Sequence, residues 1–327
     1  MTPPATPTAP RCWVLSEDKA GMVNQCLGLA EALGVEPVCK IVRIRAPWRH
    51  LPPPLWFRAL AAPGPGSDPL APPWPDLLIA TGRASVALSI AVRRAGGGRT
   101  FTVQIQDPRV NPVRFDLVVV PEHDRCRGDN VMVTRGALHR VTPERLSAEG
   151  ARLAPALAHL PRPLVAVLLG GSNRHYRFDP GDADRLGDQL AALHRTHGVG
   201  VVVTPSRRTD PQVLRMLAGR LPPEASVIWD GRGENPYFAY LALADYLLVT
   251  CDSVSMVSEA AATGRPVYVL GLRGGGRKFR AFHRNLERAG ITRPFRGRLE
   301  HWEYTPLADT ASVAAEVMRR LQSRGAS

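Results

Sequence analysis

One stretch of the chain has the pattern of a strand, a helix and a second strand. Tyr246–Thr250 is a short apolar run of the kind buried on both faces of a parallel sheet, and Val267–Leu270 is another. Asp252 and Ser253 follow the first run and are residue types that cap helices, while Gly264 fits the position that ends one. A unit of this kind indicates an α/β fold.

The turn after the first strand contains candidate anion-binding groups. Small residues occupy 251–255, where the helix is predicted to begin, and the free N–H groups of a helix N-terminus favour phosphate. Glu259 lies about one turn further on, where a carboxylate can accept the hydroxyls of a ribose. A nucleoside diphosphate would meet both features. The alternative is an ordinary crossover with a capping serine and a surface glutamate.

The strand–helix pattern repeats along all 327 residues, a length that exceeds the usual single domain. We therefore predict two Rossmann-like domains that face each other across a cleft. Residues 1–10, rich in Pro, Thr and Ala, are predicted to be a disordered lead-in. The first domain is expected over 11–157 and the second over 158–327, with the last helix packing back on the first domain.

Composition limits the classes of partner. No apolar run approaches the ~20 residues that span a bilayer, so we expect a cytoplasmic protein. Five cysteines without CxxC spacing indicate free thiols and make a zinc site improbable. The net charge of +13 suits a nucleotide or an anionic membrane, whereas no nucleic-acid-binding motif accompanies it, so no nucleic acid partner is predicted.

A second glycine-containing turn follows the apolar run Leu164–Leu169. It consists of Gly170, Gly171, Ser172 and Asn173. Two glycines let a phosphate approach the backbone closely. The turn is not a Walker loop, and the chain has no GxGxxG sequence.

In the first domain, four polar residues follow predicted strands. Carboxyl ends of strands hold the ligand in open α/β sheets. Asp107 precedes a proline and is alternatively a turn cap, while His123 is alternatively a plain loop residue. The four residues are Thr81, Asp107, Glu122 and His123.

Aromatic residues alternate with arginines between residues 46 and 61. Trp48, Trp56 and Phe57 suit an anionic membrane surface or a hydrophobic acceptor. The alternative is an additional helix, near 55–61, that covers the core and leads into a loop.

Eight short motifs occur in order along the chain, each weak by itself. They are Gln104-x-x-Asp-Pro-Arg109, Pro121-x-His123, Gly170-Gly-x-Asn173, Thr204-x-Ser206-Arg-Arg-Thr209, Asn235-Pro-Tyr237, Thr250-x-Asp-Ser-x-Ser-Met256, Glu259-x-x-x-x-Gly264-x-Pro-Val267 and Lys278-Phe279. Their order and spacing resemble a bacterial member of the elongated-mitochondria (mitochondrial fission protein) family. Gly170-Gly171-Ser172 together with Ser253 to Pro266 also resembles GT-B glycosyltransferases, such as the N-acetylglucosaminyltransferase that forms lipid II.

The resemblance implies a GT-B fold with a nucleotide-sugar-like site in the second domain. The Gly-Gly-Ser-Asn turn would hold one phosphate and the start of the second-domain helix the other, while Glu259 takes the ribose. Asp107 or His123 is the candidate base on the acceptor hydroxyl. The predicted nucleotide-sugar-binding residues are Gly170, Gly171, Ser172, Asn173, Thr204, Ser206, Arg207, Ser253, Ser255, Met256, Glu259 and Lys278.

Three functions follow from these features. The first is a glycosyltransferase that uses a nucleoside-diphosphate sugar as substrate, is expected to need no cofactor and no metal, and acts on an unknown, lipid-linked acceptor at the inner face of the membrane. The second is a non-catalytic adaptor that works through protein or membrane contacts. The third is a nucleotide-sugar epimerase. Plant relatives are associated with recruiting a dynamin-related protein to mitochondria, and we do not carry that role over.

Overall fold

The computed structural model describes residues 10–325; most of the predicted lead-in, 1–9, lies outside the described residues. The strands are β1 Cys12–Ser16, β2 Pro37–Ile41, β3 Leu77–Thr81, β4 Phe101–Ile105, β5 Leu117–Pro121, β6 Val131–Thr134, β7 Leu164–Leu169, β8 Tyr176–Arg177, β9 Gly200–Pro205, β10 Ser226–Ile228, β11 Tyr246–Thr250, β12 Val267–Leu270, β13 Arg273–Gly274 and β14 Thr292–Pro294. The helices are α1 Ala20–Ala32, α2 Arg83–Ala95, α3 Pro143–Leu157, α4 Pro180–His197, α5 Pro211–Ala218, α6 Tyr237–Leu243, α7 Val254–Ala261, α8 Arg277–Arg288 and α9 Asp309–Gly325.

The chain divides into two compact units, 1–140 with 308–327 and 141–307. The division therefore falls before α3, whereas the sequence analysis expected it after residue 157. The reason is that α3 packs on α6 and its Leu157 belongs to the core of the second unit. Residues 161–163 then lead into β7 within that unit.

The first unit is built on a six-stranded parallel sheet in the order β2-β1-β3-β4-β5-β6. Val14 of β1 and Ile79 of β3 are fully buried beneath α1 and α9. Helix α9 contributes Val313 and Val317 to this core, both with no exposed surface. The C-terminal helix therefore belongs to the first unit.

The second unit has a six-stranded parallel sheet in the order β10-β9-β7-β11-β12-β14. The runs Leu164–Leu169 and Tyr246–Thr250 form its two central strands, buried on both faces as their apolar sequences predict. A separate two-stranded ladder pairs β8 with β13.

In each sheet the strand order reverses next to the first strand. The reversal falls between β1 and β3 in the first unit and between β7 and β11 in the second. Ligands of doubly wound α/β sheets bind outside the carboxyl ends of strands at such a switch point. The topology alone therefore indicates where each unit is suited to hold a ligand.

The predicted helix near 55–61 is wrong. The segment forms three separate 3-10 turns, Trp48–His50, Pro53–Leu55 and Ala59–Ala61. Prolines remove the backbone N–H groups that a continuous helix needs, and Arg58 adopts a left-handed backbone conformation with φ 44°.

None of the helices described between residues 10 and 325 combines the length and apolar character needed to cross a bilayer.

Candidate functional site

Three loops meet at the switch point of the second sheet. Residues 170–173 follow β7, residues 206–209 follow β9, and residues 251–253 follow β11. Because β7 lies between β9 and β11 in a parallel sheet, the three loops lie at the same carboxyl edge. Most of the predicted nucleotide-sugar-binding residues belong to these loops.

A buried carboxylate ties the three loops together. Asp252 follows β11, and its side chain is fully buried. It accepts hydrogen bonds from the N–H of Gly171 at 3.1 Å and from the guanidinium of Arg208 at 2.6 Å. The N–H of Gly170 donates to the hydroxyl of Thr250 at 2.7 Å. These bonds fix the loop after β7 to its two neighbours.

The two glycines are required by the protein's own packing. A Cβ at Gly170 would lie 2.1 Å from a carboxylate oxygen of Asp252, and one at Gly171 would lie 2.1 Å from the backbone oxygen of Arg208. The N–H groups that the sequence analysis assigned to a phosphate are already bonded within the protein. A phosphate at this edge must therefore rely on other groups.

Ser172 and Asn173 shape the loop that leads into β8. The hydroxyl of Ser172 accepts a hydrogen bond from the N–H of Phe178 at 3.0 Å. The side-chain oxygen of Asn173 accepts from the N–H groups of His175 at 2.7 Å and Tyr176 at 3.0 Å. Both side chains therefore stabilise a turn, and Ser172 is exposed at its start.

The glycine-rich segment before α8 contacts the same turn. The N–H of Gly275 donates to the backbone oxygen of His175 at 2.7 Å. The ring of Phe279, in the first turn of α8, lies 5.4 Å from that of His175 and 5.2 Å from that of Tyr176. Lys278, next to Phe279, is exposed. The structure thus brings the start of α8, which includes Lys278, to the loop that carries Asn173.

The residues at the end of β9 and in the loop after it have two different roles. Thr204 is buried and donates to the side-chain oxygen of Asn235 at 3.2 Å. The N–H of Ser206 donates to the hydroxyl of Thr209 at 2.9 Å, which closes the turn. Arg207 is exposed and makes no hydrogen bond or ion pair with the residues that the structure describes. Arg207 is therefore available to a ligand, whereas Thr204 and Ser206 hold the loop.

The first turn of α7 is open to an anion. Ser253 caps the helix and accepts from the N–H of Met256 at 3.3 Å. The N–H groups of Val254 and Ser255 occupy positions that have no acceptor within a helix, and the positive end of the dipole adds to them.

Glu259 lies inside the protein. It is 5% exposed, and one of its oxygens accepts a hydrogen bond from the Tyr237 hydroxyl at 2.5 Å. Burial, together with the Glu259 carboxylate, raises the pKa of Tyr237 well above its ordinary value, so Tyr237 stays a donor. Glu259 is therefore already hydrogen-bonded within the protein.

A half-buried histidine, His283, attaches α8 to the loop after β11. The Nε2 atom of His283 lies 2.7 Å from the backbone oxygen of Cys251. A carbonyl can only accept, so Nε2 carries the proton in the neutral ring. Nδ1 is buried and has no hydrogen-bond partner among the described residues. Burial lowers the pKa of His283, an effect that the nearby Asp252 partly opposes.

The two candidate bases lie in the first unit at the ends of neighbouring strands. Asp107 follows β4 and His123 follows β5, so both belong to one edge of that sheet. The Asp107 carboxylate accepts from the N–H of Arg109 at 2.9 Å. Gln106 and Arg109 have left-handed backbone conformations, with φ of 73° and 55°. Strain of this kind concentrates at functional sites.

The aromatic residues predicted to meet a membrane have unequal exposure. Trp48 is 8% exposed and donates to the backbone oxygen of Phe57 at 2.8 Å. Trp56 is half-buried and donates to that of Leu51 at 3.0 Å. Phe57 is 59% exposed. Both indoles therefore serve packing, and only Phe57 presents a large apolar surface.

Sequence reasoning missed the residues that hold the site together. Asp252 was interpreted as a helix cap, and Arg208 was passed over beside Arg207, yet they form the central ion pair. Tyr237 and Asn235 occur in the Asn-Pro-Tyr motif, which was the only signal for them. Over residues 10–325, no group of three or more His, Cys, Asp and Glu side chains is arranged to hold a metal ion.

Solved structures that are similar to this chain over nearly its whole length include an epimerase and a glycotransferase. The UDP-GlcNAc 2-epimerase of Methanocaldococcus jannaschii, in complex with UDP-GlcNAc and UDP, is 10% identical and has a TM-score of 0.52, over 95% of this chain and 99% of that one. The glycotransferase of kitacinnamycin is 15% identical with a TM-score of 0.52, over 98% and 96%. At such low identity the likeness shows the fold alone. The fold is that of the GT-B class.

The family follows from sequence. The profile described as mitochondrial fission ELM1 matches residues 20–321. Mitochondrial fission protein ELM1 of Arabidopsis thaliana is 35% identical over 278 residues, 77% of this chain and 65% of the plant protein. The uncharacterized protein RP120 of Rickettsia prowazekii is 26% identical over 280 residues, 73% of this chain and 78% of that protein. The chain belongs to the mitochondrial fission ELM1 family.

Proposed function

We propose that the second unit binds a nucleoside-diphosphate sugar and that the protein transfers the sugar to an acceptor. The observation that carries the proposal is the switch point between β7 and β11. There a fixed polar framework of Asp252, Arg208 and Thr250 surrounds the open first turn of α7. Ligands in this kind of sheet bind at that position.

The diphosphate would be held by three kinds of donor. The N–H groups of Val254 and Ser255 at the start of α7 take one phosphate. The side chains of Arg207 and Lys278 neutralise the charge that develops on the leaving diphosphate. The loop of Ser172 and Asn173 borders the site. Gly170 and Gly171 act indirectly, because their close packing lets the loops approach one another.

The ribose contact is proposed for Glu259, in exchange for its bond to Tyr237. A pair of ribose hydroxyls donates as the Tyr237 hydroxyl does, so the buried carboxylate stays satisfied when the ligand replaces the tyrosine. Without nucleotide, the Tyr237 hydroxyl is one of the groups that stabilise the buried Glu259 carboxylate.

On the acceptor side, Asp107 and His123 are the candidates for the base. The strained loop around Asp107 favours Asp107 over His123 as the base.

The two alternative functions make fewer demands on the site. An epimerase needs no acceptor, and an adaptor needs no catalytic residue. We place the protein in the cytoplasm, with Phe57 rather than Trp48 or Trp56 as the residue that touches a membrane surface.

Isothermal titration of the full chain with UDP, GDP, ADP and TDP, each beside its monophosphate, tests the nucleotide site. We expect at least one diphosphate to bind about tenfold or more tightly than its monophosphate, which corresponds to about 1.4 kcal/mol. The double variant Arg207→Gln, Lys278→Gln should lose that preference. No binding across the panel would leave only the adaptor function.

A matched control variant distinguishes an effect at the site from a general effect of lost positive charge. Arg195 is exposed in the last turn of α4, at the amino edge of the same sheet, and Arg195→Gln should leave the preference unchanged. Product analysis with and without candidate acceptors then decides between transfer and epimerisation, because an epimerase changes the sugar with no acceptor present.

Two substitutions test the ribose contact. Glu259→Gln should weaken nucleotide binding by about 1–3 kcal/mol, because a charged acceptor of the ribose hydroxyls is lost. Tyr237→Phe should leave affinity equal or higher, since the ligand no longer displaces a hydroxyl. Equal weakening by both substitutions would show that Glu259 acts only through Tyr237.

A further inference from the structure

The first unit contains an apolar groove that the proposed nucleotide site does not use. The groove lies between the 3-10 turns Pro53–Leu55 and Ala59–Ala61 on one side and α2 on the other. Its volume is about 730 Å³, within the range of about 300–1,000 Å³ that is typical of small-molecule sites.

Small residues on α2 create the space. Ala87, Ala91 and Ala95 line the groove at intervals of four residues, so they lie along one face of the helix. The next residues round α2, Leu88 and Val92, are buried in the core beside the sheet. An alanine stripe cannot fill the gap to the facing turns, which leaves the groove open.

The facing wall is held in place. Trp56 lines the groove, and its indole N–H donates to the backbone oxygen of Leu51 at 3.0 Å. The guanidinium of Arg83 donates to the same oxygen at 2.9 Å. Pro53 and Pro54 stiffen the wall further. The groove is therefore formed before a ligand arrives, which reduces the entropy lost on binding.

Three arginines border the groove without counter-charges. Arg58, Arg94 and Arg114 are exposed, and no ion pair or side-chain hydrogen bond joins any of them to another described residue. None of the residues described as lining the groove is acidic. Arg58 also has the strained left-handed backbone noted above. An apolar slot bordered by unpaired guanidiniums is complementary to an amphiphile with an anionic head group.

Exposed apolar side chains adjoin two of these arginines in sequence. Leu55 and Phe57 precede Arg58 and are 61% and 59% exposed, and Val113 precedes Arg114 and is 74% exposed. Such side chains suit insertion among lipid tails beside cations that meet the head groups.

We propose that the groove binds one hydrocarbon chain of a membrane lipid phosphomonoester, with the phosphate on Arg58, Arg94 and Arg114. A phosphomonoester carries about −1.5 to −2 charges at pH 7, against one for a phosphodiester, and so matches three unpaired cations better. This binding is independent of the proposed glycosyl transfer.

Flotation of the full chain with vesicles tests the proposal. The vesicles contain phosphatidylcholine with either phosphatidic acid or phosphatidylglycerol, at mole fractions matched for surface charge. We expect about tenfold tighter binding to phosphatidic acid, because three partly exposed charge contacts each contribute a small factor. Equal binding to both charge-matched vesicles, or binding to neither, would overturn the proposal.

Two variants locate the site. Ala91→Trp fills the groove without changing charge, and Ala148→Trp places the same side chain on the exposed face of α3. The preference for phosphatidic acid should be lost in Ala91→Trp and kept in Ala148→Trp. Arg58→Gln with Arg94→Gln and Arg114→Gln should also abolish it. The matched triple variant Arg195→Gln, Arg215→Gln, Arg288→Gln removes the same charge from exposed positions of the second unit and should keep it.

If Ala91→Trp fails to fold, a soluble probe decides. Dihexanoyl phosphatidic acid should raise the melting temperature of the parent chain and not that of the triple variant Arg58→Gln, Arg94→Gln, Arg114→Gln. An equal rise in both would place the lipid elsewhere and refute the assignment.

Discussion

The two sheets have the same kind of switch point but differ in how the polar side chains at that point are hydrogen-bonded. In the second unit, β11 ends at Thr250, whose hydroxyl accepts a hydrogen bond from the N–H of Gly170. The carboxylate of Asp252 connects the neighbouring loops through its bonds to Gly171 and Arg208. In the first unit, the hydroxyls that end β1 and β3, those of Ser16 and Thr81, are buried and have no hydrogen-bond partner in the described chain.

The difference shows that topology alone does not make a site. Both edges place polar residues where a ligand is expected, and at the second edge a hydrogen-bonded network around Asp252 connects three loops. Such a network fixes donors before a ligand binds, and preorganised donors are what an anionic transition state requires. The first edge contains strained backbone at Gln106 and Arg109, of the kind that clusters at active sites and ligand clamps.

The largest expected loss of stability comes from adding a side chain where two loops of the network are in closest contact. Gly171→Ala should lower the free energy of unfolding by about 3 kcal/mol or more, because its Cβ would lie 2.1 Å from a backbone oxygen that cannot rotate away. Gly271→Ala is the control, since a Cβ there meets nothing within 4 Å. Calorimetric melting of both variants checks the result; equal, small losses would mean that the network tolerates movement.

One substitution at two strand ends compares the sheets directly. Thr250→Val should cost about 1–3 kcal/mol, because the buried N–H of Gly170 loses its acceptor. Thr81→Val should be neutral or slightly stabilising, since it removes a buried hydroxyl without a partner. Denaturant unfolding of both variants measures the contrast. A similar cost at both positions would remove the distinction between the edges.

The smallest expected effect is a pH dependence at His283. Its lowered pKa means that the unfolded chain takes up a proton more readily than the folded one. The stability due to neutral His283 is therefore complete above about pH 6.5 and lost as pH falls, by at most about 1.4 kcal/mol per unit.

Melting temperatures from pH 7.5 to 5.5 test this for the parent and two variants. His283→Gln keeps a donor for Cys251 but cannot titrate there, so its decline with acid should be shallower than that of the parent. His159→Gln, at an exposed position, should follow the parent. Parallel curves for all three would show that His283 is neutral in both states or charged in both.

Three strands that are almost wholly apolar were predictable to the residue. Leu164–Leu169, Tyr246–Thr250 and Val267–Leu270 have the bounds that the sequence indicated, because burial on both faces favours a continuous run of apolar side chains. Tyr176–Arg177, Arg273–Gly274 and Thr292–Pro294 were missed because they are short and carry no apolar pattern.

The location of the candidate site was predictable, but the bonds within it were not. Strand order puts residues 170–173 and 251–253 at one edge, and the motifs mark both. Whether a side chain there faces a ligand or another loop depends on partners distant in sequence. Asp252 pairs with Arg208, and Glu259 is covered by Tyr237; no local pattern encodes either contact.

Helix α9 has a consequence for synthesis on the ribosome. Residues 141–307 are continuous, whereas the first unit lacks Val313 and Val317 until the last stretch of the chain has been translated. Until then, the face of β1 and β3 that α9 covers stays exposed, so chaperones can bind there or the chain can aggregate. A nonsense codon shortly before residue 308 should therefore damage the beginning of the protein more than its middle.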